Sequence, residues 1–175
     1  MVENLKTTKY RNGKAIPNVA GSWTSLVTGA YNWYNNDPAN KTDFGGFYNW
    51  YAVADSRNIA PTGWHVATDA EWTTLTTFLG GESVAGGKLK ETGTEHWFSP
   101  NAGATNESGF TALPGGARRY YDGTFGLKGT IGHWWSSTAY DASYALDHFL
   151  HYSLPTAYPY YYAKEYGFSI RCVRD

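Results

Sequence analysis

His148 and His151, preceded by Asp141 and Asp147, are the densest group of side chains here that could hold a metal ion or move a proton. Two histidines at this spacing can share a metal from a loop. A zinc site needs at least a third firm ligand, and a calcium site needs a denser run of Asp, Asn and Glu. Neither accompanies them. Hydrolysis could recruit Glu95, Asp141 or Asp147, but glycosidases need two carboxylates converging at a set separation, and no spacing here suggests such a pair. Cys172 is the only cysteine, so an intramolecular disulfide and a cysteine metal cluster are both impossible. The glycine pairs lack the Lys-Ser/Thr sequel of a phosphate-binding loop. The expectation is a protein without catalytic residues, metal ligands or cofactor. It reads as a non-enzyme.

Tyrosine is what the chain has in excess, with 15 Tyr beside 8 Trp. Residues 139–163 mix Asp141, Tyr144, Asp147, Phe149 and His151 with Ser153, Leu154, Thr156 and Tyr158. The run ends in Tyr160, Tyr161 and Tyr162, with Tyr166 just beyond. Large rings with few rotors and a hydrogen-bonding tip suit a binding surface, which is why antibody combining sites are rich in tyrosine. All thirteen are therefore candidate ligand-binding residues. Phe149, His151 and Ser153 alternate with Leu150, Tyr152 and Leu154, so one set can face outward while Leu150 and Tyr152 pack inward. A plainer reading stays open, in which the tyrosines form a loop packed on the body. Pro155 and Pro159 keep the stretch from being a regular central strand in either case.

The elements that must position this stretch are legible in part. Thr68 can cap a helix that Glu71, three residues on, closes as a capping box. Trp72, Leu75, Phe78 and Leu79 then recur at helical spacing, and Gly80-Gly81 supplies the stop. A second helix is expected over residues 47–54, and Trp64-His65-Val66 reads as a short strand. Residues 83–132, punctuated by glycine, read as long ordered loops, with brief strands near 110–113 and 134–136. Residues 166–173 alternate as a terminal strand with Phe168, Ile170 and Cys172 on one side. Trp134-Trp135 reads as core, and His65 and His96 as hydrogen-bonded structural residues. Together these predict one α+β domain over residues 1–175: two helices around a small antiparallel sheet with long glycine-rich loops. Charged residues are only 17% and net charge is -1, which argues against nucleic acid as a partner. No apolar run reaches membrane-spanning length, so no membrane insertion is expected.

Several blocks of this sequence resemble the Fibrobacter succinogenes major paralogous domain family. They include Glu3-Asn4-Leu5-Lys6-Thr7, Tyr48-Asn49-Trp50-Tyr51, Gly86-Gly87-Lys88-Leu89-Lys90, Leu113-Pro114-Gly115-Gly116, Trp134-Trp135-Ser136-Ser137 and Gly167-Phe168-Ser169-Ile170-Arg171-Cys172-Val173. The resemblance implies a C-type-lectin-like fold and a bacterial or phage setting. Thr68-Asp69-Ala70-Glu71-Trp72 is similar to formylglycine-generating enzymes, but their copper-binding cysteine pair cannot be supplied by Cys172 alone. Residues 139–163 contain no Lys, Glu, Gln, Met or Trp, the five types that an Asn codon cannot reach by changes at its adenines. The segment thus resembles the variable region, here bounded at 139–166, of a protein diversified by a retroelement. The implied partner is a protein or another cell-surface ligand, a carbohydrate being the alternative. The implied location is a bacterial surface or a phage particle, with any targeting segment outside this chain.

Overall fold

The computed structural model describes residues 3–175. In chain order its strands and helices are β1 (Tyr31–Asn32), α1 (Lys41–Phe44), β2 (Phe47–Tyr48), α2 (Trp50–Val53), β3 (Trp64–Val66), α3 (Asp69–Phe78) and α4 (Glu82–Leu89). There follow β4 (Ala117–Arg118), β5 (Phe125–Gly126), β6 (Ile131–Ala139), β7 (Tyr144–His151), β8 (Ala157–Ala163), β9 (Ser169–Ile170) and β10 (Cys172–Arg174). The largest sheet has the order β8-β7-β6-β9, and the pairs β1-β2, β3-β10 and β4-β5 are separate two-stranded ladders. This is a mixed α/β architecture with few helices and small open sheets.

The capping box forms as expected. Thr68 Oγ1 accepts from Glu71 N at 3.2 Å, and Glu71 Oε2 accepts from Thr68 N at 2.8 Å. Gly80 and Gly81 then end α3 at positive φ. The inward stripe of α3 is Trp72, Leu75, Thr76 and Leu79. Phe78, expected on that stripe, is 84% exposed. It lies about a third of a turn from Trp72, on the solvent side.

Two further expectations are corrected. Phe47 and Tyr48 are strand, and the helix expected over 47–54 shrinks to one turn that starts only after Asn49, whose Oδ1 accepts from Ala52 N at 3.1 Å. The second substantial helix is α4, inside the stretch expected to be loop. Gly86-Gly87 reads as a break but serves a close approach: a Cβ on Gly86 would run into the Thr156 carbonyl, and one on Gly87 into that of Gly103. The terminal strand is likewise divided. β9 runs parallel to β6, so the main sheet is mixed, while β10 pairs with β3.

Both faces of the main sheet are covered at its centre. Trp135, Ala145, Phe168 and Ile170 pack on one side, with Cys172 against the same cluster as expected. Trp134, Leu150 and Ala157 meet Trp72, Ala85 and Leu89 of the two longer helices on the other. The double tryptophan is core, at 1% and 0% exposure.

A buried polar knot ties distant blocks together. Asn4 Nδ2 donates to the Phe44 carbonyl at 2.8 Å, and Asn4 Oδ1 accepts from Trp134 Nε1 at 2.9 Å and from Arg171 Nε at 2.6 Å. The Arg171 guanidinium also lies 4.3 Å from the Phe110 ring centroid. Buried donors and acceptors without partners are costly, so these contacts hold the blocks in one geometry.

Candidate functional site

The tyrosine-rich run is neither packed loop nor central strand. It is β8, an edge of the main sheet. Register pairs Phe149 with Tyr158, Asp147 with Tyr160 and Ala145 with Tyr162, so these three tyrosines share one face of β8 while Pro159 and Tyr161 take the other. Neither face is covered at mid-strand, where Tyr158, Tyr160 and Tyr161 are 41%, 49% and 41% exposed. Lys164 N donates to the Ser143 carbonyl at 3.0 Å. The antiparallel ladder alternates from that pair, which turns the nitrogen of Pro159 to the outer edge. Proline therefore costs no ladder bond and blunts the edge against added strands.

Rings continue well past β8. Tyr161 lies parallel to Tyr140 (4.5 Å, 7°) and to Tyr160 (5.0 Å, 2°), and meets Tyr144 edge-on at 5.7 Å. Tyr160 leads to Tyr162 (5.4 Å), Tyr162 to Tyr166 (5.3 Å), Tyr166 to Tyr120 (5.1 Å) and Tyr120 to Tyr121 (5.4 Å). Eight tyrosines are thus in unbroken contact, exposed at both ends and half-buried at Tyr162 and Tyr166 in the middle. Burial, helped by the Asp147 charge, pushes the Tyr162 phenol up to about 12. Burial raises Tyr166 as well. Both remain neutral O–H groups at physiological pH.

Sequence reasoning missed Tyr120, Tyr121 and Tyr140. Tyr140 lies inside the tyrosine-rich window, and that was its only signal. Tyr120 and Tyr121 lie far from it in sequence. Backbone bonds between Arg118 and Gly167 (2.9 Å each way) bring their loop to Tyr166.

The remaining expected residues divide by exposure. Asp141 is exposed, but its Oδ1 accepts from Ser143 N and Tyr144 N, each at 2.7 Å, and so shapes the β6-β7 turn. Leu154 is exposed, whereas Phe149, His151, Ser153 and Thr156 are half-buried. Leu150 packs inward as expected, and Tyr152 packs against the same core. Asp147 is a correction. It is fully buried, with its Oδ2 2.7 Å from His133 Nδ1, because β7 is an inner strand and Asp147 sits opposite Trp135. It cannot meet a ligand at the surface.

The groups that could have done chemistry are separately engaged. His148 Nε2 lies 2.9 Å from Asp69 Oδ1, and its ring stacks on Trp72 at 4.8 Å; burial lowers its pKa. His151 Nδ1 lies 2.8 Å from Ser153 Oγ. His65 is held by Glu71 and Asp175, and His96 by Glu91, as expected of structural histidines. Glu95 is exposed, on another segment.

The candidate segment is fastened through its backbone. Lys90 is fully buried, and its Nζ donates to the carbonyls of Ala102 (2.9 Å), His151 (3.0 Å) and Leu154 (2.9 Å). Lys164 Nζ donates to those of Asp141 (2.7 Å) and Ala142 (2.9 Å), and lies 4.6 Å from the Trp50 ring centroid. Gly87 N donates to the Pro155 carbonyl at 2.9 Å. Every carbonyl in these contacts is present whatever side chain the residue carries.

Fold and site together define a mixed α/β protein that carries an exposed aromatic surface on a frame of buried polar contacts. The chain belongs to the Fibrobacter succinogenes major domain family, whose model matches residues 1–174. No curated protein and no solved structure matches it. Among the described residues, no helix is long and apolar enough to cross a membrane.

Proposed function

We propose that this chain is a ligand-binding module, not an enzyme, whose segment 139–166 is a diversified recognition surface on a C-type-lectin-like frame displayed at a bacterial surface or on a phage. The observation that carries the reading is the pairing of exposed tyrosines with anchors whose hydrogen bonds to the segment go to main-chain carbonyls. Such anchoring lets side chains vary without moving the backbone, and tyrosine supplies contact area with little rotamer entropy. Proline in β8 disfavours strand addition, so recognition falls to side chains. The ligand this surface suits is a protein.

Sequencing the encoding locus tests the proposal. The expected result is a neighbouring reverse transcriptase and a near-identical repeat whose differences lie at adenines within codons 139–166. The codons of Leu154, Ser153 and Thr156 should each end in C or T. A locus with neither feature removes the diversification claim. Carbohydrate binding is the second reading, favoured by the exposure of the stacked Tyr140, Tyr161 and Tyr160 rings. Saturable binding on a glycan array, lost in Tyr160→Ala or Tyr162→Ala, would select it.

A further inference from the structure

Beside the half-buried middle of the tyrosine chain lies a recess of about 110 Å³, lined in part by Arg119, His133, Tyr162, Tyr166 and Phe168. Small-molecule pockets begin at roughly 300 Å³, so this space suits the end of one side chain and not a free metabolite. Its walls pack on one another. The His133 ring stacks on Phe168 at 4.5 Å and 10°, takes an edge contact from Tyr162 at 5.3 Å, and has Nδ1 fixed by Asp147. The polar atoms around it are unspent. Among the described residues, His133 Nε2 and the hydroxyls of Tyr162 and Tyr166 take no hydrogen bond, although His133 is only 3% exposed. Arg119 brings a permanent positive charge. Among the described residues, its guanidinium makes one hydrogen bond, a long one of 3.5 Å to Thr124 Oγ1, and lies over Gly126 at the recess. Asp122, on the same loop, accepts from Thr124 N and Thr124 Oγ1 at 2.9 and 2.8 Å through its Oδ1, and its charge also acts on Arg119.

A guanidinium and two phenolic O–H groups around one small space match a carboxylate, which accepts several donors at once and is held best by Arg. His133, whose Nδ1 donates to Asp147, presents Nε2 as an acceptor and serves as a wall of the recess. We propose that the recess takes the carboxylate of an Asp or Glu side chain presented by the protein bound to the tyrosine surface. This rests on the binding role proposed above and adds the chemistry of one anchor. Arg119, His133 and Phe168 lie outside residues 139–166, so the preference would belong in part to the frame.

The test uses the whole chain and two blocked amino acids, N-acetylglutamate methylamide and its neutral isostere N-acetylglutamine methylamide, followed by NMR of the His133 ring. The glutamate compound should shift the His133 signals saturably, with the glutamine compound at least about tenfold weaker. Arg119→Gln, at an exposed position, should weaken glutamate binding about tenfold while leaving the urea midpoint unchanged. Equal affinity for the two compounds, no saturable shift, or binding indifferent to Arg119→Gln would each overturn the proposal. So would a free sugar acid such as glucuronate binding more tightly than the glutamate compound. Because the readout lies in the recess, a failed search for a protein partner leaves this result standing, and loss of selectivity ends the proposal even if the tyrosines bind.

Discussion

Asn4 and Tyr161 both sit at the centre of a cluster of contacts, and the two clusters obey different rules. Around Asn4 the contacts are hydrogen bonds between buried groups from four distant parts of the chain, at residues 4, 44, 134 and 171. Around Tyr161 they are ring contacts among exposed neighbours, reversible at the cost of re-wetting. The first cluster leaves unsatisfied donors when one member is removed; the second leaves water. A protein that must keep its shape while changing its face needs both kinds, kept apart. Lys90 and Lys164 are the joint between them.

Substitutions can break or sharpen that contrast. The largest effect is expected at the knot. Asn4→Leu removes the acceptor for Trp134 Nε1 and Arg171 Nε, and should cost about 3 kcal/mol in urea unfolding. Lys90→Met should come next, at about 2 kcal/mol, because three carbonyls lose a buried donor. Hydrogen exchange should rise in that variant at residues 151–154 and stay unchanged around Asn4.

Acid acts on the inner strands. Burial holds the His148 pKa below its ordinary 6.5, so the unfolded chain takes up that proton first and stability falls as pH drops through 6.5. His151, also lowered by burial, adds in the same direction. His65 is raised by its bonds to Asp175 and Glu71 and works the other way. The contribution of His148 is therefore read as a difference: His148→Gln should lose less stability than the parent between pH 7 and 5. The smallest effect belongs to the surface. Tyr158→Ser and Tyr160→Ser should each change unfolding free energy by no more than about 0.5 kcal/mol while removing ligand contact area.

How much of this was legible in the sequence follows from how local each cause is. The capping box at Thr68 and Glu71 needs only four consecutive residues, and it was read correctly. So was the core role of the double tryptophan. Gly86-Gly87 was misread as loop, because the reason for glycine there is the approach of Thr156 and Gly103, which no local pattern reveals. Phe78 was counted inward by spacing from Leu75, although the stripe through Trp72, Thr76 and Leu79 leaves it outside. In the candidate surface, alternation identified Leu150 as an inward residue. Asp147 was misplaced, since its polar type suggested exposure and its buried partner, His133, was unknown. Tyr120 and Tyr121 join the surface only through the pairing of Arg118 with Gly167.

The separation of frame from face can be measured in one experiment: urea unfolding of a variant with Tyr140, Tyr144, Tyr158, Tyr160 and Tyr161 all changed to serine. Cooperative unfolding with a loss of about 1 kcal/mol or less is the expected outcome. A loss as large as that of Asn4→Leu, or a chain that no longer folds, would show that these rings are part of what holds the protein together.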